Sequence, residues 1–526
     1  MGAQTSMGAH AIDLWDESMS ANKEILVRLM LLAASAALCV PLGEAVVRVI
    51  DGYELLSLRL IVVPQPIFGV EDDAVGTPAE GGWVATSGVE REWFVRDPPR
   101  PAGKDRNERL LELYRAAPPE VGYGSIYQWN LEFLRDRACR GAVSSEAFDQ
   151  FERIFYYTPL DGSILPRYRF IRNVTDPSGM VINRFGYRGP QIAVNKPPET
   201  IRIAFVGAST TVSSHGYPYS YPEHIAHWLA MWGRRAFPNI RFEVINAGRS
   251  GISSPDIRAV VRSELLPLEP DMLVYYEGSN SFWPVDYLDW PDGRLPERPA
   301  VSFVLKSPLE NYSSLLRRLL ALLDAGYHGD GAEPEKVAHT VTWPAEIDEF
   351  DPDPDYPGLP TGLTGIIGDM EGIRTDLMQI GAEFVPSSFV WMVWDDMRLA
   401  LPRHARLFQA LNQSYGIFTY AHLRRMVDFQ NRVFRNYAAS RGLEFIDIAA
   451  LFPRDPNLVR DAIHNTPEGI RVRGWIVFQQ LVPMLRHRIE QGALPKLDRE
   501  RITAHPALAE PRFQSTTWAK LLRSCD

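Results

Sequence analysis

Four short blocks of the chain carry residue types that together could perform nucleophilic chemistry. They supply, in chain order, Ser209, Gly251, Asn280 and an Asp-x-x-His pair formed by Asp461 and His464. A serine hydroxyl is a weak nucleophile until a neighbouring base accepts its proton, and a neutral histidine can be that base at about pH 7. An aspartate beside the histidine can orient the ring and stabilise its protonated form. These residue types therefore indicate attack of a serine on a carbonyl group.

Each of these residues also has an ordinary structural explanation. Ser209 could cap a helix or form a turn, and Asn280 could cap a turn. Gly251 could be a glycine in the left-handed region of the backbone, and His464 could simply begin a helix. All four blocks in this order are much less expected by chance than any one of them alone, so the combined site is the preferred interpretation.

The elements around these blocks indicate a parallel α/β sheet. Residues 201–206 form an apolar run that ends at a glycine, which is the signal of a buried strand. A second apolar run at 271–276 precedes Asn280, and a third at 241–246 runs into the glycines around Gly251. A serine that directly follows a central strand lies where open α/β sheets place their reactive groups.

With these blocks the chain resembles the SGNH (GDSL-type) hydrolases over about residues 201–489. The Asp-x-x-His and Gly-x-Asn blocks are the specific parts of this resemblance. One difference is that the usual Gly-Asp-Ser of the family is Gly207-Ala208-Ser209 here. That aspartate is not the acid of the family's triad, so its absence bears on substrate preference and local geometry rather than on the chemistry. Thr211 stands where the Gly-x-Ser-x-Gly elbow of the α/β-hydrolases has its second glycine, so that motif does not apply.

The resemblance implies a role for each block. Ser209 would be the nucleophile, His464 the general base, and Asp461 the residue that orients the base. The oxyanion hole would consist of the backbone N–H groups of Ser209 and Gly251 and the side-chain amide of Asn280. No cofactor and no metal ion is expected in this site.

The resemblance and the alternation of strands and helices predict an α/β fold over residues 199–495, a three-layer α/β/α, flavodoxin-like SGNH hydrolase domain with a parallel sheet. The expected strands lie at 201–206, 241–246, 271–276, 383–393 and 443–449, and the expected helices at 221–232, at 419–440, and from the Asp461–His464 block to 489. Ser254 is expected to cap a further helix. Residues 281–381 are interpreted as an insertion, with an apolar stretch at 312–323 that could be core, lid or membrane-surface contact.

The rest of the chain divides into four predicted segments. They are a polar N-terminal tail (1–23), a transmembrane helix (24–48), an accessory lead-in region (49–198) and a C-terminal tail (496–526). The apolar run from 25 to 47 reaches the roughly twenty residues that a membrane span needs. A cleaved signal peptide, with small residues at 33–37, and a buried soluble helix are the alternatives. The favoured interpretation is a single-pass membrane protein with its hydrolase domain on the extracytoplasmic side, by analogy with anchored relatives.

Composition and residue spacing exclude some partners. The formal net charge of −10 argues against nucleic acid, because phosphate binding requires clustered lysine and arginine. The three cysteines, Cys39, Cys139 and Cys525, have no metal-ligand spacing, and a disulfide between the last two is not favoured. His224 and His227 lie three residues apart on one predicted helix, but no third metal ligand is evident.

The favoured function is a serine esterase that cleaves or transfers a small acyl group, such as acetyl, on a carbohydrate or another ester through an acyl-enzyme at Ser209. The alternatives are a cell-envelope polysaccharide O-acetyltransferase, a lipid esterase at the bilayer, and a catalytically inactive glycan-binding SGNH module. Trp283, Tyr287 and Trp290 could stack on sugar rings or could pack the insertion. The expected partners are an acyl ester substrate, polysaccharide esters included, and the membrane through the N-terminal helix.

Overall fold

The computed structural model describes the chain mainly over residues 179–213, 217–282, 343–394 and 420–496, with shorter stretches at 39–49 and 89–99 and scattered residues elsewhere. The chain divides into two units. One comprises residues 1–74, 300–335 and 399–405, and the other comprises residues 75–299, 336–398 and 406–526. The second unit contains the main sheet and all five candidate site residues.

A parallel four-stranded sheet forms the centre of the second unit. Its strands are β1 (Thr200–Gly207), β2 (Arg241–Asn246), β3 (Met272–Tyr276) and β4 (Glu383–Pro386). Their order in space is β2–β1–β3–β4, and all three pairings are parallel. A single parallel bridge from Ser387 to Ile446 extends this edge of the sheet. The arrangement follows the 2-1-3-4-5 order of flavodoxin-like sheets.

Helices cover both faces of the sheet. They are α1 (Ser209–Val212), α2 (Tyr221–Ala236), α3 (Ser254–Val260), α4 (Leu363–Gln379), α5 (Tyr420–Ser440), α6 (Ile448–Leu451) and α7 (Pro467–Glu490). Helix α2 packs against α7, whereas α4 packs against α3 and α5. All eight residues of β1 are buried, which requires cover on both of its faces. The predicted α/β fold with a parallel sheet is therefore confirmed.

Shorter elements surround this core. A π-helical turn (Val261–Leu265) and a 3-10 turn (Leu266–Leu268) continue α3, and two other 3-10 turns lie at Arg91–Trp93 and Pro456–Leu458. Three antiparallel pairs join Gln128–Trp129 to Arg169–Phe170, Ile154–Tyr156 to Arg512–Gln514, and Val174–Thr175 to Val181–Ile182. His505 is buried and contacts the backbone carbonyl of Glu264, so this part of the chain beyond the last helix packs on the core.

Local capping sets where several helices begin, and it corrects two predictions. Helix α3 is capped by Ser253, through a capping box with Asp256, and not by Ser254. Helix α7 begins at Pro467 with Thr466 as its cap, so the Asp461–His464 block lies in the preceding loop and does not open the helix. The site residues on this block are consequently held by a loop.

Two other expected elements differ from the structure. The predicted strand at 443–449 is reduced to the bridge at Ile446, because Asp447 caps α6 and turns the chain out of the sheet. Helix α4 falls inside the segment 281–381 that the sequence suggests is an insertion. Residues 363–379 therefore belong to the α/β core, as the helical connection between β3 and β4.

Several predictions fall wholly or largely outside the described residues and stay predictions. They concern the transmembrane helix at 24–48, the stretch at 312–323, and the aromatic residues Trp283, Tyr287 and Trp290. The domain boundaries also stay predictions. Residues 39–49 are helical, and no helix among the described residues is long and apolar enough to cross a membrane. Cys139 is disulfide-bonded, contrary to the expectation from sequence, whereas Cys39 is free.

Candidate active site

Ser209 lies at the point where the sheet reverses its strand order. It begins α1 directly after β1, and β1 is flanked by β2 on one side and β3 on the other. A Cβ atom on Gly207 would come within 2.2 Å of both the Thr211 hydroxyl oxygen and the Tyr276 carbonyl oxygen, so the sharp turn before the serine requires glycine. Ser209 is 9% exposed, so a small part of this residue reaches the surface.

The structure brings Ser209, His464 and Asp461 into one hydrogen-bonded chain. The Ser209 Oγ atom lies 2.7 Å from Nε2 of His464. The other ring nitrogen, Nδ1, lies 2.8 Å from Oδ2 and 3.0 Å from Oδ1 of Asp461. In a neutral ring whose Nδ1–H donates to the carboxylate, Nε2 is unprotonated and can accept the serine proton.

The carboxylate of Asp461 is held in its ionised form. Burial alone would raise the pKa of Asp461, but the hydrogen bond to His464, its charge interaction and the N–H groups of Ile463 and His464 lower it to about 2. Those two N–H groups donate to Oδ1 at 3.0 and 2.8 Å. The loop therefore fixes the orientation of the carboxylate as well as its charge.

The candidate oxyanion donors lie on two neighbouring loops. Gly251 has a φ of 73°, a left-handed conformation that favours glycine. The Asn280 amide donates to the carbonyl of Ile252 at 2.7 Å, which ties its loop to the residue after Gly251. An amide nitrogen carries two hydrogens, so one N–H of Asn280 remains for another acceptor. Within the described part of the chain, neither Gly251 nor Asn280 donates a hydrogen bond to Ser209.

Glu277, which the sequence did not single out, shapes the Asn280 loop. One oxygen of its carboxyl group accepts the backbone N–H of Ser279 at 2.8 Å and that of Asn280 at 2.6 Å. The other oxygen is buried and has no hydrogen-bond partner in the described part of the chain. Burial raises the pKa of Glu277, although the backbone N–H groups oppose this change. The available signal was an acidic residue placed directly after a fully apolar strand.

Arg473, on α7, is a second residue that sequence reasoning missed. It is 1% exposed, and its Nη1 donates to the backbone carbonyl of Thr210 at 2.8 Å. Its guanidinium carbon lies 4.7 Å from the centroid of the Tyr276 ring, a cation–π distance. The contact holds the first turn after Ser209. The available signal was an arginine on an otherwise apolar helix stripe, between Ile470 and Val477.

A buried ion-pair cluster anchors the loop that carries Gly251. Arg249 and Glu264 are ion-paired at 2.5 Å with both side chains fully buried, and Arg169 and Tyr187 also donate to this carboxylate. Burial alone would raise the pKa of Glu264, but Arg169 and Arg249 lower it overall. Arg169 and Tyr187 belong to the predicted lead-in region, which therefore contributes to the support of the candidate oxyanion loop.

Of the histidine pair on α2, His224 packs among aromatic side chains. His224 is buried and stacks on Trp228, and burial lowers its pKa to about 3. In the portion of the chain that is described, no group of three or more His, Cys, Asp or Glu side chains could hold a metal ion.

Comparison with known proteins gives only distant likenesses. No family model and no curated protein sequence matches the chain. It is similar in structure to a GDSL-like lipase from Bacteroides thetaiotaomicron, with 11% identity, a TM-score of 0.29 and coverage of 56% of this chain and 93% of that one. An acetyl xylan esterase variant from Geobacillus stearothermophilus is 12% identical, with a TM-score of 0.29 and coverage of 55% of this chain and 97% of that one. A lipase/acylhydrolase from Enterococcus faecalis is 13% identical, with a TM-score of 0.30 and coverage of 54% of this chain and 96% of that one. At such values the likeness assigns neither a family nor an activity to this chain.

Proposed function

We propose that this protein is a serine esterase of the SGNH type, which cleaves an ester through an acyl-enzyme on Ser209. The observation that carries the proposal is the hydrogen-bonded chain Ser209–His464–Asp461, with 2.7 Å from the hydroxyl to Nε2 and 2.8 Å from Nδ1 to the carboxylate. A serine, a base and an orienting acid in this order of contacts form the arrangement that activates a serine for acyl transfer.

The reaction begins when Ser209 Oγ attacks the ester carbonyl carbon and His464 Nε2 accepts the serine proton. The carbonyl oxygen becomes an oxyanion, which the N–H groups of Ser209 and Gly251 and the amide of Asn280 stabilise. The intermediate collapses, the alcohol leaves with the proton from His464, and the acyl group stays on Ser209. Water then repeats these steps in the second half of the cycle and releases the acid.

Asp461 does not exchange a proton in this cycle. Its pKa of about 2 keeps it ionised at neutral pH, so it stabilises the imidazolium form of His464 when that forms. Glu277 and Arg473 act through other groups. Glu277 positions the backbone of Asn280, and Arg473 holds the turn that begins at Ser209.

A small acyl group such as acetyl, on a carbohydrate, is the substrate that we propose. Transfer to a sugar hydroxyl would use the same acyl-enzyme, with the hydroxyl in place of water. We further propose that the protein is anchored by residues 24–48 with its hydrolase domain outside the cytoplasm. The disulfide at Cys139 supports an oxidising compartment, because such bonds persist mainly in secreted and extracytoplasmic proteins.

Turnover of an aryl acetate by purified variants tests the proposal. Ser209→Ala and His464→Ala should each remove nearly all activity and leave the thermal unfolding transition in place. Ser263→Ala is the matched control, because its hydroxyl only donates to the carbonyl of Ala259 within a helical segment. Wild-type turnover in either the Ser209 or the His464 variant would contradict the assignment.

A further inference from the structure

A cavity of about 120 Å³ lies against the segment that follows β4, and none of the five candidate site residues lines it. Its walls come from the extended segment 389–394 that follows β4, from α5, and from α6 with the loop after it. For comparison, an engineered cavity of roughly 150 Å³ can hold a benzene molecule. The cavity is therefore large enough for a small group of atoms, such as a carboxylate and part of a sugar ring.

The wall segment touches both loops that carry the candidate site. The N–H of Met392 donates to the carbonyl of Ala462, between Asp461 and His464, at 2.8 Å. On the other side, the Trp391 ring lies 5.8 Å from the ring of Phe282, two residues after Asn280. One wall of the cavity therefore separates a bound group from the base loop and from the candidate oxyanion loop by a single segment of chain.

The charge of the lining favours an anion. It contains two arginines, Arg424 and Arg454, and no acidic residue. Arg454 is exposed and makes no hydrogen bond or ion pair with any described residue, so its guanidinium is available to a ligand. Arg424 pairs with Asp428 through Nε and donates to the Val393 carbonyl through Nη1, and its Nη2 has no partner among the described residues. Guanidinium groups bind carboxylates through paired N–H donors, which suits this arrangement.

The aromatic part of the lining favours a sugar ring. Trp391 and Trp394 both line the cavity and are 4% and 8% exposed. Most of each indole ring is covered by the protein, so each offers the cavity a small, rigid apolar edge that one face of a sugar ring can contact. A carboxylate-bearing sugar presents both an anionic group for the arginines and an apolar ring face for the indoles. The net charge of −10 on the whole chain makes general attraction of anions a poor alternative explanation.

We infer that this cavity binds the carboxylate-bearing sugar of an acidic saccharide, next to the sugar whose ester reaches Ser209. The inference names a substrate class for the proposed esterase and rests on that proposed function for its catalytic meaning. Binding of the sugar does not require ester cleavage, so the sugar-binding inference and the esterase proposal can be refuted separately.

Isothermal titration calorimetry on the Ser209→Ala protein tests binding without turnover. The probes are a uronate disaccharide, which carries carboxylates, and the matching neutral disaccharide. We expect the uronate to bind at least tenfold more tightly, and Arg454→Gln or Arg424→Gln to weaken its binding by about tenfold, as for loss of a charge-assisted hydrogen bond. Arg234→Gln is the matched control, because Arg234 is an exposed arginine on α2 and should leave the affinity unchanged.

Two outcomes would overturn the inference. Equal affinity for the acidic and neutral disaccharides would show that the arginines do not recognise the carboxylate. Binding of a sugar phosphate as tightly as the uronate would show that the cavity is a general anion site. Kinetic measurements distinguish a failure of the sugar-binding inference from a failure of the esterase proposal. Arg454→Gln should lose the preference for an acetylated uronate disaccharide over its neutral counterpart, whereas the control Arg234→Gln should keep both this preference and wild-type turnover of an aryl acetate. Uronate binding without any Ser209-dependent turnover would instead contradict the esterase proposal and leave the sugar site in place.

Discussion

Replacing Asn280 by alanine is expected to lower kcat strongly while KM stays nearly unchanged. The amide of Asn280 is held by the Ile252 carbonyl at 2.7 Å, and its backbone N–H is held by Glu277 at 2.6 Å. Such a donor is already in place before the reaction begins. It stabilises charge that develops on the carbonyl oxygen only in the transition state, so its loss affects kcat rather than substrate binding.

Two separate magnitudes follow from these contacts. Loss of one oxyanion donor raises the activation free energy by roughly 3–4 kcal/mol, which corresponds to a fall in kcat of about 10² to 10³. Loss of the hydrogen bond to Ile252 lowers the free energy of unfolding by only about 0.5–1.5 kcal/mol. The effect on turnover should therefore far exceed the effect on stability. Asn280→Asp should be worse for turnover, because a carboxylate would repel the oxyanion.

The assay measures kcat and KM for an aryl acetate and the melting temperature on the same preparation. Ser279→Ala is the control from the same turn, because its hydroxyl makes only a long contact of 3.4 Å to Glu277. It should keep nearly wild-type kcat. A lowered melting temperature with normal kcat in Asn280→Ala would refute the oxyanion role and leave Asn280 as a residue that only stabilises the turn.

Three further predictions concern the acid, the buried carboxyl group and the anchor. Asp461→Asn should lower kcat by up to about 10⁴ through loss of the correct histidine tautomer, with little change in KM; full kcat in this variant would show that Asp461 does not orient the base. Burial raises the pKa of Glu277, so its carboxyl group stays protonated to a higher pH in the folded protein than in the unfolded chain. The protonated group therefore stabilises the fold below the ordinary carboxyl pKa, and this stabilisation is lost as pH rises through the raised value. Thermal unfolding should therefore show Glu277→Gln gaining stability relative to wild type as pH rises across this interval, whereas a difference that is constant with pH would contradict the burial argument. The full-length chain should fractionate with membranes, and a chain that begins at Asp51 should be soluble; recovery of uncleaved full-length protein in the soluble fraction would exclude the anchor.

The central strands could be predicted from sequence because burial on both faces leaves a simple pattern. The apolar run at 201–206 became β1, Thr200–Gly207, and the run at 271–276 became β3, Met272–Tyr276. Ser209 could be located because it directly follows such a run. The apolar pattern at 443–449 continues into the short helix α6, so it does not show that the strand ends early. The role of Asp447 as the cap of this helix was therefore not predicted.

Helix α4 was missed because its sequence is poor in helix-forming signals. It contains Gly365, Gly368 and Gly372, and each interior glycine lowers helix propensity by about 1 kcal/mol relative to alanine. At Gly372 a Cβ atom would meet the end of the Arg258 side chain at 2.3 Å, so this arginine of α3 lies directly over the helix. Helix α4 forms nonetheless, because it packs against both α3 and α5. Tertiary packing here outweighs local propensity.

The contacts that hold the candidate site in place could not be predicted, because they join residues far apart in the chain. Arg473 reaches a carbonyl 263 positions away, and Arg169 reaches Glu264 across 95 positions. Nothing in the local pattern around an arginine tells which carbonyl or carboxylate it will meet. The candidate site residues were therefore visible in the sequence, whereas the buried charges that hold their loops in place were not.

The most direct test of the account is whether an acyl group becomes attached to Ser209. The protein is mixed with an aryl acetate, quenched rapidly in acid, and examined by intact-protein mass spectrometry followed by peptide mapping. The account predicts a mass increase of one acetyl group on the peptide that contains Ser209, and no such increase in Ser209→Ala. Turnover of the aryl acetate with the acetyl group found only at other residues, or with an equal adduct in Ser209→Ala, would contradict it.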